Sequence, residues 1–216
     1  MSMLEHCCDL GIQYITVYAF SIDNFNKKQD EVESFMDLML EKTEEMLKED
    51  SIIYKYNIKV KFIGNLNLLN KLVRIVVDRV MAATSGNTKR IFSICVAYTC
   101  TDEIVHAVQE SCQEKWAKIQ QENLEGVDSE VSIITVTDLE RHMYMAGCPD
   151  PDILIRTSGE TRLSNFLLWQ TTFCYLFTPN ALWPEISLKH LVWEILKYQC
   201  VRPYLEKKKN DGEFSK

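Results

Sequence analysis

Glycine and proline are scarce, seven and five in 216 residues. Neither Gly-x-Gly-x-x-Gly nor Gly-x-x-x-x-Gly-Lys-Ser/Thr occurs, so the loops that cradle a dinucleotide or a nucleoside triphosphate are not encoded. His-Glu-x-x-His and Gly-x-Ser-x-Gly are absent too, which removes the signatures of zinc metalloproteases and of nucleophile-elbow hydrolases. No run of about 18 apolar residues is present to span a bilayer. The opening Met1-Ser2-Met3-Leu4-Glu5-His6 has neither the basic nor the apolar stretch of a secretory signal. Basic residues are outnumbered, 24 Lys+Arg against 31 Asp+Glu for a net charge of −7, which argues against a general nucleic-acid binder, whose footprint is basic.

Cysteine is plentiful, with eight copies, yet no Cys-x-x-Cys pair exists. Cys7 and Cys8 are adjacent, while Cys95, Cys100, Cys112, Cys148, Cys174 and Cys200 are scattered. Cys95, Cys174 and Cys200 fall in apolar runs, where a free thiol behaves as a small hydrophobe. The expectation is reduced, structural thiols in a cytosolic setting. His6, His106, His142 and His190 are dispersed and read as surface or satisfied helix residues.

Hydrophobic residues at 46% and charged residues at 25% are an ordinary globular balance, and the length fits one domain. Short runs rich in β-branched and aromatic residues read as strands: Tyr14–Phe20, Ile58–Ile63, Ile91–Tyr98, Val131–Val136, Ile153–Arg156 and Phe173–Phe177. Helical patterns cover Asp30–Glu49, Leu68–Thr84, Thr101–Glu122, Asp138–Met145 and Leu188–Lys208. In the first, Val32, Phe35, Met36, Met39 and Leu40 form one apolar stripe. The alternation predicts a single α/β domain over residues 1–204, with a mostly parallel sheet and helices on both faces. Residues 205–216 read as a charged tail, frayed from Glu206. The chain opens with a helix-like stretch, Leu4 to Leu10, where a complete α/β unit would first have a strand.

Two segments offer chemistry. In Pro151–Glu185 a strand ends at Ile155 and Arg156 follows at its carboxyl end, where open α/β sheets bind ligands. Arg162 and Ser164 follow in a polar turn before Phe166-Leu167-Leu168-Trp169. Two guanidinium groups and a hydroxyl converging near a helix start would cradle a diphosphate. The alternative is that both arginines pair with Asp152, Glu160 or Glu185. In Tyr18–Phe25, Ser21 and Asn24 leave the end of another strand as substrate contacts beside the same sheet edge; the alternative, compatible with that role, is an Asx/Ser turn capping the next helix, which Asp23 and Asn24 would suit.

YAFSIDNF (Tyr18–Phe25), AYTCTDEIVHAV (Ala97–Val108), DILIRTSGETRLSNFLLWQT (Asp152–Thr171) and LWPE (Leu182–Glu185), in that order and spacing, resemble the cis-prenyltransferases. This is the undecaprenyl/dehydrodolichyl diphosphate synthase family, and the look is nearest to plant dolichol- and rubber-type catalytic subunits. The likeness runs to about Tyr204. It implies addition of isopentenyl diphosphate units, in cis, to an allylic starter such as farnesyl diphosphate, with Mg²⁺ as cofactor. By the same resemblance Arg156, Arg162 and Ser164 would hold isopentenyl diphosphate. Phe20 would line the allylic site, with Ser21 and Asn24 at the reacting centre. Lys27 falls where many members place an arginine, a swap that keeps charge and loses the bidentate fork. The stripe from Val32 to Leu40 and the helix Leu68–Met81 would wall the trough for the growing chain.

The sequence departs from the family pattern in three places. A strand ending in Asp-Gly-Asn-Arg-Arg, whose Asp holds the Mg²⁺-diphosphate, is not found; the only Asp-Gly is Asp211-Gly212. No metal ligand is therefore assigned, and the expectation is a truncated synthase, or else a catalytically silent subunit that binds isopentenyl diphosphate or a partner. Tyr175 stands where homodimeric bacterial members carry a metal-binding Glu, and no Arg-x-Gly occurs. Both features resemble eukaryotic catalytic subunits that work with a membrane-anchored partner of the Nogo-B receptor type. The implied setting is a heteromer, peripheral on the cytoplasmic face of the endoplasmic reticulum, or the cytosol.

Overall fold

The computed structural model describes residues 2–125 and 133–211. Two compact units are formed: residues 1–99 with 185–192, and residues 100–184 with 193–216. All described strand pairs are parallel, so the α/β class holds. The strands divide between a three-stranded and a two-stranded sheet.

The first unit opens with helix α1 (Ser2–Asp9) and strand β1 (Tyr14–Ser21), continues through α2 (Gln29–Glu45), the short α3 (Ile52–Lys55), β2 (Ile58–Ile63) and α4 (Lys71–Ala83), and ends with β3 (Arg90–Tyr98). Its sheet order is β1-β3-β2. Central β3 is buried without interruption from Phe92 to Tyr98, which explains its unbroken apolar run. Edge strand β2 alternates instead, burying Ile58, Val60 and Phe62 and leaving Lys59 and Lys61 half-exposed. Its outward backbone groups do not remain open. Val60 N donates to Thr84 Oγ1 at 3.1 Å, and Asn87 Nδ2 donates to Ile58 O at 2.8 Å. Those bonds block further strand addition there.

Helix α4 starts where Asn70 Oδ1 accepts from Val73 N at 2.9 Å, a cap worth about 1 kcal/mol. Val73, Val76, Val77 and Val80 then form a buried stripe at helical spacing. Helix α2 packs against α4. Of its apolar stripe, Met36 and Met39 enter the core, while Val32, Phe35 and Leu40 lie partly buried against it.

The carboxyl ends of the parallel strands share one edge, and the backbone there is irregular. The β1–β3 register shifts around Ala19 and Ala97, and Ala97 takes φ 47°. Its carbonyl accepts from Asn65 N at 2.9 Å. Gly64, at φ +130°, lies so close that a Cβ would sit 2.2 Å from Val96 O. Only glycine fits.

The second unit holds α5 (Cys100–Glu125), α6 (Val136–His142), β4 (Ile153–Ile155), β5 (Tyr175–Phe177) and most of α7 (Leu188–Asp211). Glu114 on α5 pairs with Lys118 at 2.6 Å, Arg141 at 3.2 Å and His142 at 2.8 Å. Lys115 pairs with Asp138 at 3.2 Å. Glu103, fully buried in the first turn of α5, accepts from Met145 N and Gln170 Nε2, each at 3.0 Å.

Several expectations change. Of the strand expected over Val131–Val136, residues 131 and 132 lie outside the described residues, and Ile133–Thr135 form no strand. Thr135 and Asp138 instead make a reciprocal capping box that starts α6 at Val136. That helix ends at His142, because Met143 turns to ψ 150°. The tail expected from Glu206 is helical through Asp211. Helix α7 continues to Asp211 through an internal Pro203, supported by Arg202–Glu206 at 2.8 Å and Lys209–Asp150 at 3.2 Å. Residues 212–216 lie outside the described residues. All eight cysteines are free. Cys95 is buried, whereas Cys200 is exposed on α7 and not core.

Candidate active site

Strand β4 ends at Ile155, and Arg156 N donates to Phe177 O at 2.9 Å, closing the last rung with β5. The loop that follows is tied down repeatedly. Ser158 N donates to Ala181 O at 2.9 Å and Gly159 N to Pro179 O at 2.7 Å. Gly159 has φ +66°, and a Cβ there would lie 2.6 Å from Asn180 Oδ1. On this base Arg156 Nη1 donates to Ser164 Oγ at 2.8 Å and to the Arg162 carbonyl. Arg162 Nη1 reaches Glu160 Oε2 at 2.5 Å in an exposed ion pair. Arg156, Arg162 and Ser164 are thus brought together.

Of the two alternatives for the arginines, Arg162 does take a carboxylate, Glu160. Arg156 is held by a hydroxyl and a carbonyl, both neutral acceptors, and among the described residues no carboxylate pairs with it. Asp152 is engaged by Tyr198 OH at 2.5 Å. Tyr175 OH donates to the buried Glu194 at 3.2 Å.

The helix start expected after Ser164 is not formed, since residues 164–173 are a run of turns. Ser164, Asn165 and Leu167 have φ of 46°, 58° and 46°, left-handed values that cost about 1–3 kcal/mol each in non-glycine residues. Asn165 supplies the compensation. Its carbonyl accepts from Cys100 N at 2.8 Å, and its Oδ1 accepts from Thr101 N at 3.1 Å and Thr101 Oγ1 at 3.2 Å. Asn165 therefore satisfies open N–H groups at the start of α5, from another part of the chain. Its only sequence signal is asparagine's tolerance of left-handed backbone.

In the first unit, Ser21 caps the 3₁₀ turn Ile22–Asn26, its Oγ accepting from Asp23 N at 3.2 Å. The turn reading is therefore seen at Ser21, whereas neither Asp23 nor Asn24 caps α2, whose start at Lys28 carries no side-chain cap bond. Phe20 is buried, stacked on Phe35 at 4.2 Å and edge-on to Phe25 at 5.0 Å. Phe20, Asn24 and Lys27 line one cavity of about 210 Å³ with Glu31, Val32 and Phe35. A second cavity, of about 300 Å³, shares Val32 and includes Phe25, Met36 and Leu68. Lys27 and Glu31 contribute one charge of each sign to the lining of the first cavity, beside the phenyl rings of Phe20 and Phe35.

Among the described residues no three His, Cys, Asp or Glu side chains gather to hold a metal ion.

Comparison with known proteins identifies the family. The prenyltransferase family model for undecaprenyl diphosphate synthases matches residues 1–203. A dehydrodolichyl diphosphate synthase of Solanum lycopersicum is 55% identical over 98% of this chain and 77% of its own. The human dehydrodolichyl diphosphate synthase complex subunit is 38% identical over 94% of this chain and 59% of its own. Among solved structures, lavandulyl diphosphate synthase from Lavandula x intermedia, in complex with dimethylallyl diphosphate, superposes with a TM-score of 0.74 at 27% identity, covering 91% of this chain and 80% of that one. Match length, identity and fold agree: the chain belongs to the undecaprenyl diphosphate synthase family of cis-prenyltransferases.

Proposed function

We propose that this chain catalyses cis-prenyl chain elongation, adding isopentenyl diphosphate units to an allylic diphosphate such as farnesyl diphosphate to give a dehydrodolichyl-type polyprenyl diphosphate. The observation that carries the reading is the Arg156 guanidinium fixed on Ser164 Oγ at the end of β4, in a chain 55% identical to a dehydrodolichyl diphosphate synthase. Arg156, Arg162 and Ser164 hold the isopentenyl diphosphate, with Arg162 exchanging Glu160 for phosphate oxygens. Guanidinium groups suit that exchange because they stay charged and match phosphate geometry.

Phe20, Asn24 and Lys27 receive the allylic substrate, and Ser21 fixes the turn that presents Asn24. When the allylic C–O bond breaks, negative charge develops on the departing diphosphate, and the Lys27 ammonium stabilises it. A carbon–carbon bond then forms to the isopentenyl double bond, and a proton is lost. The apolar side of the second cavity, formed by Phe25, Val32, Met36 and Leu68 in a lining that also carries Glu33 and Asp37, takes the first part of the hydrocarbon. The family resemblance implies Mg²⁺. The described residues hold no cluster of His, Cys, Asp or Glu that fits it.

The partner is a membrane-anchored subunit of the Nogo-B receptor type, which sets the chain peripherally on the cytoplasmic face of the endoplasmic reticulum. Support comes from a relative whose name makes it a complex subunit. Incubation with labelled isopentenyl diphosphate, farnesyl diphosphate and Mg²⁺, with and without that partner, tests the reading. Allylic-dependent incorporation into an organic-extractable product is expected, and none under either condition would refute it.

A further inference from the structure

Ser164 is a peculiar place for a substrate-holding hydroxyl. It stands in left-handed backbone, followed by a second left-handed residue, Asn165, in a stretch that is neither helix nor strand. The turn is closed locally by Phe166 N, which donates to Leu163 O at 3.1 Å. It is held in place by a part of the chain 64 residues earlier. Asn165 is bound three times to the start of α5, through its carbonyl to Cys100 N and through Oδ1 to Thr101 N and Thr101 Oγ1. On the other side of the Ser164–Asn165 peptide, Ser164 Oγ accepts from Arg156, which is anchored by β4.

We propose that Asn165 is a positioning residue for isopentenyl diphosphate, acting through Ser164: by clamping the turn onto the first residues of α5 it holds the Ser164 hydroxyl beside Arg156. This rests on the reading of Arg156, Arg162 and Ser164 as the isopentenyl diphosphate site. Asn165 spends its carbonyl and Oδ1 on α5, so its effect on substrate is transmitted by geometry. Helix α5 is 26 residues long, and its first turn is also tied by the buried Glu103 to Gln170, further along the same run of turns. The turn therefore has a rigid body to be clamped to.

The test uses Asn165→Gly, which keeps the left-handed backbone accessible and the carbonyl bond to Cys100 N possible while deleting the side-chain bonds to Thr101. Asn165→Ser, able to accept a hydrogen bond over a shorter reach, serves as the conservative partner. Isopentenyl diphosphate binding to the full chain is measured by titration calorimetry, and KM values for both substrates are measured in the elongation assay. Asn165→Gly is expected to weaken isopentenyl diphosphate about tenfold, the scale of a lost hydrogen bond to a charged ligand. Its KM for the allylic diphosphate should stay unchanged, and Asn165→Ser should recover part of the loss. On a Ser164→Ala background the Asn165→Gly change should cost nothing more.

Unchanged binding in Asn165→Gly would overturn the proposal, as would parallel loss of both substrates or full additivity with Ser164→Ala. If Ser164→Ala itself binds isopentenyl diphosphate normally, the site reading fails and this proposal with it, a result distinct from additivity.

Discussion

Arg156 Nη1 donates to Ser164 Oγ at 2.8 Å across eight positions of chain, and the same nitrogen reaches the Arg162 carbonyl. One guanidinium thus organises the loop and presents charge to the space above it. Lysine would supply the charge without the planar fork. Arg156→Lys is expected to raise KM for isopentenyl diphosphate by about 10–100-fold, the range for charged hydrogen bonds, with KM for the allylic diphosphate unmoved. Steady-state kinetics with each substrate varied in turn would show it, and equal loss for both substrates would contradict the assignment.

Arg162 is held by Glu160, a partner that the proposed diphosphate site requires it to release. Both side chains are exposed, 68% and 42%, so the pair is weak, about 0–1 kcal/mol. Glu160→Gln should lower KM for isopentenyl diphosphate by up to about fivefold, and the gain should shrink in high salt. A raised KM would mean that Glu160 assists the substrate.

Gly64 follows β2 and lies against the neighbouring strand β3. A Cβ would lie 2.2 Å from Val96 O and 2.9 Å from Ala97 O, and φ is +130°. Gly64→Ala should destabilise the first unit by about 2–4 kcal/mol, read as a lowered urea midpoint with little change in slope. A midpoint within experimental error of the parent would refute the close approach.

The Lys118 ammonium and the His142 ring hold the Glu114 carboxyl down to about 2, from an ordinary 4.5, with Arg141 adding to the effect. The hydrogen bonds of Thr135 lower Asp138 in the same sense. A carboxylate whose folded pKa is depressed contributes stability that is complete above its unfolded pKa and lost as pH falls through its folded one. For Glu114 that window runs from about pH 4.5 down to about pH 2. Thermal melts of the parent and Glu114→Gln should therefore differ most above pH 4.5 and converge towards pH 2. A difference that persists unchanged at pH 2 would count against the ion-pair cluster.

Much of this was legible in the sequence because it is local. β1, β2 and β3 announce themselves through β-branched and aromatic runs, and the Val73–Val80 stripe reads directly as a buried helix face. Arg156, Arg162 and Ser164 fall within nine residues, so one stretch of chain could suggest that they meet. Thr135 was harder, because an apolar, β-branched run resembles a strand until the Thr135–Asp138 capping box is weighed against it. The apolar run after Ser164 looked like a helix, and tertiary bonds to α5 turned it into successive left-handed turns. Asn165 and Glu103 escaped notice for one physical reason. Their partners lie 64 and 67 residues away, and no local pattern encodes such a bond.

The most direct test of the central claim is a crystal structure of this chain with isopentenyl diphosphate bound. The account predicts diphosphate oxygens within hydrogen-bond distance of Arg156, Arg162 and Ser164 Oγ, with Glu160 displaced from Arg162. A diphosphate bound elsewhere, with the Arg162–Glu160 pair intact, would contradict it.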